Sequence, residues 1–206
     1  MNADWTSEPL RDYLLRLGSA APTPGGGSAA ALAGALAAAL GRMVVSVAQE
    51  KSPHPDHARL LAAFSSQRDG FLRLAADDER AFDAVMAALR LAKDDTARPA
   101  ALEAALVGAA DVPLRAAASC LSLLETLREA EPHASRAIVS DIGAAAHLAL
   151  ACLSSSLLNV RVNERSIKDG ALQSRLASQA EKLRAAGEEA HRALTARVAE
   201  RLAPRP

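Results

Sequence analysis

Asp78 is the residue of this sequence whose position most needs a chemical explanation. It lies seven residues after Phe71, four after Leu74, four before Phe82 and seven before Val85, so helical spacing puts it on an apolar, inward-facing stripe. Burying a bare carboxylate costs several kcal/mol; a carboxylate there is paired, caps something, or works as a base. Asp77 and Glu79 fall on the flanks, where solvent is expected. Asp141 follows Ser140 at the head of an otherwise apolar helix. An acidic side chain in a first turn favours the helix dipole by about 0.3–1 kcal/mol, which is sufficient reason for it without catalysis. Asn159 and Asn163 are four apart on one helical face, with Arg161 and Lys168 nearby. Two amides on a mostly apolar helix either read the hydrogen-bonding edge of a heterocycle or tie one helix to the next. His147, inside an Ala/Leu run, reads as a core histidine, while His54, His57, His133 and His191 lie in polar surroundings without a pattern. With no second His, Cys or carboxylate at helix spacing, no metal site is expected.

The element that must position these groups begins at Pro22-Thr23-Pro24-Gly25-Gly26-Gly27-Ser28 and runs into Ala29-Ala30-Ala31-Leu32-Ala33-Gly34-Ala35-Leu36. Two prolines stiffen the approach, and glycines admit positive φ. Ser28, or a glycine before it, is placed to cap the helix that follows. A glycine turn feeding a helix N-terminus leaves N–H groups aimed outward, which suits an anion or a polar carbonyl, although a plain loop before a core helix explains the same residues. Small residues at 30, 34 and 38 and at 29, 33, 37 and 41 line more than one face of that helix. It therefore belongs in the middle of a bundle or at a subunit interface.

The remaining segments are also helical. Pro9 opens a short first helix, which Ser7 can cap, with Leu10, Tyr13, Leu14 and Leu17 facing inward and Gly18 stopping it. After Ser52-Pro53-His54-Pro55-Asp56, apolar residues from Leu60 to Leu89 recur at helical spacing, with Gly70 a possible kink. Pro99 starts the next helix, Pro113 should bend it, and Ser140 caps a second all-apolar helix. After Asp169-Gly170 a final amphipathic helix carries one leucine stripe from Leu172 to Leu202. No segment alternates with period two. The expectation is an all-α, single-domain bundle of about six helices spanning 1–206, with two apolar central helices that dimerise. The 206 residues suffice for a real core, and zero net charge gives no electrostatic case for nucleic acid or an anionic membrane. Gly18 to Gly41 and Ile142 to Val160 imitate membrane spans, but the Pro/Gly turn, His147, three serines and Asn159 make them core helices. Cys120 and Cys152 read as buried thiols in a reducing compartment, and the N-terminus lacks a signal-peptide pattern, so a cytoplasmic location is expected.

The stretch PTPGGGSAAALAGALAAALGRMV resembles the signature of the formimidoyltetrahydrofolate cyclodeaminase / methenyltetrahydrofolate cyclohydrolase family. The likeness continues, in the family's order, through Asp78-Glu79-Arg80-Ala81-Phe82 with Val85-Met86, Val112-Pro113, Ser140-Asp141-Ile142-Gly143 and Asn159-Val160-Arg161-Val162-Asn163. It implies a small all-helical folate enzyme that hydrolyses 5,10-methenyl- to 10-formyltetrahydrofolate, or releases ammonia from the 5-formimino derivative with ring closure. It further implies Asp78 and Asp141 as catalytic carboxylates. Substrate contacts would come from Pro24, Gly25, Gly26, Gly27 and Ser28, with Asn159 and Asn163. Lys51, Arg161 or Lys168 would pair with the glutamate carboxylates, on grounds of charge. No metal and no cofactor beyond the tetrahydrofolate substrate are implied, and the assembly expected is a homodimer or a dimer of dimers. Ser46-Val47-Ala48-Gln49-Glu50-Lys51 keeps the lysine of a family segment but lacks its glycine, and Ser52-Pro53-His54 stands where an aromatic residue is often found. A non-catalytic helical dimer, folate-binding or scaffolding, is the alternative reading.

Overall fold

The computed structural model describes residues 9–204, which form six α-helices with no strand among them. They are α1 (Leu10–Leu17), α2 (Gly26–Lys51), α3 (Pro55–Arg90), α4 (Arg98–Ala130), α5 (Val139–Glu164) and α6 (Gly170–Leu202). A short 3₁₀ turn, Glu131–His133, leads from α4 towards α5. The proposed cap at Ser7 lies outside the described residues. α2 packs against α3 and α5, α4 against α3 and α5, and α6 lies along α5 and α4. One apolar core draws on all six helices.

Alanine and glycine on α2 let α3 approach very closely, and the contact has a heptad register. The Phe71 ring sits on Gly34, where an added Cβ would come within 2.6 Å of it, and the Phe64 ring sits on Gly41 at 2.5 Å. Each step of seven along α2 thus matches a step of seven backwards along antiparallel α3. Both rings are fully buried and contribute about 1.5–3 kcal/mol each. One further step brings Gly27 to Asp78, whose carboxylate would lie 2.1 Å from a Cβ at that glycine. The seam that seats two phenylalanines therefore also delivers the carboxylate to the N-terminal turn of α2.

Several local expectations are revised. No glycine among the described residues has positive φ, so left-handed geometry is not what the glycines at 25–27 supply; Gly27 alone of the three is needed for close approach, to Asp78. Gly25 is the N-cap of α2, with Thr23–Pro24 a cis peptide, and Ser28 lies inside the first turn. α3 passes through Gly70 as one continuous helix of 36 residues, because nothing there interrupts its backbone ladder. α5 starts at Val139 behind Ile138 with no side-chain cap, so Ser140 is not its cap. In α1 only Tyr13 is fully buried, and Leu10 and Leu14 face outward because α1 is too short to be enclosed. Asp169 caps α6 by accepting from the N–H groups of Ala171 and Leu172.

Glu131 is buried at the end of α4, where Arg197 and Arg201 of α6 reach it at 2.6 and 2.7 Å. Such a pair is costly to break from one side, and it pins the 3₁₀ turn to α6. Cys120 and Cys152 are free, buried and adjacent, and burial pushes the Cys120 thiol up. By length and composition α2, α5 and the stretch from Arg98 to His133 are long and apolar enough to cross a membrane. Here they supply most of the buried core.

Candidate active site

The N-terminal turn of α2 forms the floor of a cleft of about 330 Å³. Its walls come from Pro22, Thr23 and Gly25–Gly27, from Asp78, Ala81, Phe82 and Val85 of α3, from Ala109 of α4, and from Asn159, Val162 and Asn163 of α5. Four helices must pack correctly before it exists.

Asp78 Oδ2 accepts the backbone N–H of Ser28 at 2.9 Å. The outward-facing donor of this helix N-terminus is therefore taken by an internal anion. The N–H groups of Gly26 and Gly27 have no partner among the described residues and remain for a ligand. Asp78 forms no ion pair with any described Lys, Arg or His. Burial raises its pKa above the ordinary carboxylate value, the Ser28 N–H pulls the other way, and the neighbouring Glu79 charge adds to the rise. An acidic group held high without a basic partner can exchange a proton with substrate more readily than one locked in a salt bridge.

The residues behind the turn hold it still. Ser28 is fully buried, and its Oγ lies 3.2 Å from the buried Tyr13 hydroxyl. Glu79 is buried and sits 3.6 Å from Arg16 of α1, contrary to the expectation that it is solvated. Asp77 is half-buried and contacts Arg80 and Arg115, the latter at 3.3 Å. Both depart from expectation because α1 and α4 cover the flanks of α3. Phe82, expected in the core, is partly exposed as a wall of the cleft.

The two asparagines are placed by different means. Asn163 donates Nδ2 to the Ala109 carbonyl at 2.7 Å. That carbonyl lies four residues before Pro113, which has no N–H to return to it, so the Asn163 amide replaces the missing helical bond. Asn159 donates to the Ser155 carbonyl one turn back at 2.9 Å, and Gly26 lies close to its amide. Each amide keeps its carbonyl oxygen for another partner.

Other expected site residues lie elsewhere. Pro24 is buried beneath the turn and does not line the cleft. Lys51 is at the opposite end of α2, about 37 Å along its axis from Gly26. Asp141 is about 27 Å along α5 from Asn159, towards the end where Lys51 lies. Arg161 points away from the cleft, beside Glu164, Glu181 and Arg184 of a shallow surface hollow. Neighbours in sequence on a helix diverge by 100° per residue, so proximity to the asparagines was no guide. The histidines also regroup: His147 is exposed and pairs with His191 at 3.0 Å, and His54, His57 and His133 converge around a second cavity. Burial and the two neighbouring imidazoles hold His133 below the usual histidine range.

The family pattern described as formiminotransferase-cyclodeaminase matches residues 9–182. The chain belongs to this family. It is 35% identical over 173 residues to the methenyltetrahydrofolate cyclohydrolase of Methylorubrum extorquens, covering 80% of this chain and 83% of that enzyme. It is 31% identical over 177 residues to the formimidoyltransferase-cyclodeaminase of Sus scrofa, covering 82% of this chain but 33% of the porcine protein. Among solved structures, formiminotetrahydrofolate cyclodeaminase from Thermotoga maritima superposes with a TM-score of 0.84 at 26% identity, covering 96% of each chain. The family's glycine-rich turn, its Asp78 segment and its Asn159–Asn163 segment are distant in sequence, and all three line one cleft in this member.

Proposed function

We propose that this protein is a folate one-carbon enzyme that hydrolyses 5,10-methenyltetrahydrofolate to 10-formyltetrahydrofolate in the cleft above Gly25–Gly27. The observation that carries the reading is Asp78: a half-buried carboxylate with no ion pair to any described Lys, Arg or His, facing a cleft and seated on a helix N-terminus. Its methenyl substrate is a delocalised cation, which a carboxylate stabilises electrostatically. Asp78 takes a proton from the water that attacks the bridging carbon, and the tetrahedral adduct opens as a proton reaches the departing ring nitrogen. The free N–H groups of Gly26 and Gly27 and the amides of Asn159 and Asn163 supply the hydrogen-bonding edge that holds the pterin. Phe82, Val85 and Val162 cover its apolar faces. The reading needs no cofactor beyond the folate itself.

Release of ammonia from the 5-formimino derivative is the second reading, and the likeness to the Thermotoga maritima cyclodeaminase favours it. The same carboxylate would then serve proton delivery to the departing amine. Loss of methenyltetrahydrofolate absorbance against the buffer rate tests the first reaction. An ammonia assay on the formimino substrate tests the second. Acceleration of neither leaves the non-catalytic folate-binding reading.

The assembly proposed is a homodimer, or a dimer of dimers, in the cytoplasm, with neither nucleic acid nor membrane as partner. Leu36 and Met43 on α2 and Leu158 on α5 are exposed on the two most apolar helices, which supports a second copy covering them.

A further inference from the structure

At the far end of α2 from the folate cleft, a cavity of about 320 Å³ opens between the α2–α3 loop and the α4–α5 connection. Lys51, His54 and His57 line one side, and His133 and Ser135 the other. A ring nitrogen of His54, a carboxylate oxygen of Asp56 and a ring nitrogen of His133 lie within 4.8 Å of one another. Metal–ligand bonds of about 2.0–2.2 Å put tetrahedral ligand atoms roughly 3.3–3.6 Å apart, so a modest closure is needed. His54 and Asp56 are exposed, whereas His133 is half-buried; His54 Nδ1 accepts the Asp56 N–H as the N-cap of α3, which leaves its Nε2 for a metal.

His57 gives the cluster its direction. It is buried, and its Nε2 lies 3.1 Å from His133 Nδ1. With the shared proton on His133 Nδ1, that bond fixes the ring and leaves the His133 Nε2 lone pair open. A metal-ligating histidine almost always donates its other ring N–H to a carboxylate, a carbonyl or water, and the His57 imidazole takes that place here. The turn carrying His133 is itself held by Glu131 with Arg197 and Arg201. We infer that His54, Asp56 and His133 form a binding site for a divalent transition-metal ion of the zinc class, with His57 as the residue that positions His133. Two imidazoles and one carboxylate are a donor set for Zn²⁺, Co²⁺ or Ni²⁺ and not for Mg²⁺ or Ca²⁺. The bound ion ties the start of α3 to the α4–α5 connection. Lys51 opposes it by charge, so coordination and not net charge supplies the affinity.

The test is titration of Co²⁺ into the full chain after dialysis against a chelator, followed by visible absorption, with the melting temperature read in parallel using Zn²⁺. Wild type should bind one Co²⁺ per chain with a ligand-field band, and Zn²⁺ should raise its melting temperature. His54→Asn keeps an N-cap acceptor for α3 while removing the imidazole, and should weaken Co²⁺ at least 10-fold, as should His133→Ala. His57→Phe preserves packing and should cost about 10–100-fold while altering the band. Lys51→Met should tighten binding. If no band appears, if it survives in the His54→Asn/His133→Ala double variant (metal at His147 and His191 instead), or if Lys51→Met weakens binding as for an anion site, the inference is overturned.

Discussion

Replacing Asp78 with asparagine separates catalysis from structure. The side chain keeps its size and an oxygen that can accept the Ser28 N–H, now made at 2.9 Å to Oδ2. The charge and the base are lost. Turnover of methenyltetrahydrofolate should fall roughly 10²-fold or more, the scale for removing a general base. Stability should move in the other direction. No described Lys, Arg or His pairs with Asp78, so the 3–5 kcal/mol penalty of about that size for stranding a buried partner does not apply. The carboxyl pKa is raised in the fold, chiefly by burial, so the folded protein holds this proton more tightly than the unfolded chain. The stability linked to that proton is complete below the unfolded value of 3.8 and is lost as pH rises through the higher folded value. Asparagine has nothing to lose over that window. The melting temperature of Asp78→Asn relative to wild type should therefore be lowest below pH 4 and should climb to a plateau above the folded pKa. Thermal denaturation from pH 3.5 to 7.5, with turnover at neutral pH, reads both quantities. Unchanged turnover, or a loss of several kcal/mol at neutral pH, would refute the reasoning.

Gly27→Ala would put a methyl group 2.1 Å from Asp78 Oδ1, so the carboxylate must shift by more than about 1 Å and turnover should fall about 10²-fold; Gly26→Ala, whose methyl meets only Asn159 at 3.8 Å, should fold normally. Asn163→Leu should leave the Ala109 carbonyl unsatisfied and cost about 1–3 kcal/mol in urea denaturation. Adding Pro113→Ala restores an N–H to that carbonyl and should recover part of the loss, and strict additivity of the two changes would refute the link. Sedimentation at micromolar concentration should give a dimer or tetramer, and a monomer would count against the exposed α2 and α5 residues as an interface.

Helical periodicity and small-residue spacing were enough to read an all-α fold, because each is a local property of 3.6-residue turns. The same stripe marked Asp78 as facing inward, and the ordered motifs pointed to folate chemistry. Those statements concern which face of one helix a residue occupies, and sequence contains that directly. The position along the bundle axis was beyond its reach. Lys51 and Asp141 belong to the same motif set as the glycine turn, yet rises of 1.5 Å per residue carry them to the opposite end of α2 and α5. Only the antiparallel register of α2 and α3 decided that Asp78 meets Gly27, and that register is set by two phenylalanines finding two glycines. Only packing revealed that Asn163 completes a bond Pro113 had removed 50 residues away. The three histidines of the second cavity had no sequence pattern, because His54 lies in the α2–α3 connection, His57 in the first turn of α3 and His133 in the turn after α4, and helix ends meet without any periodic signal.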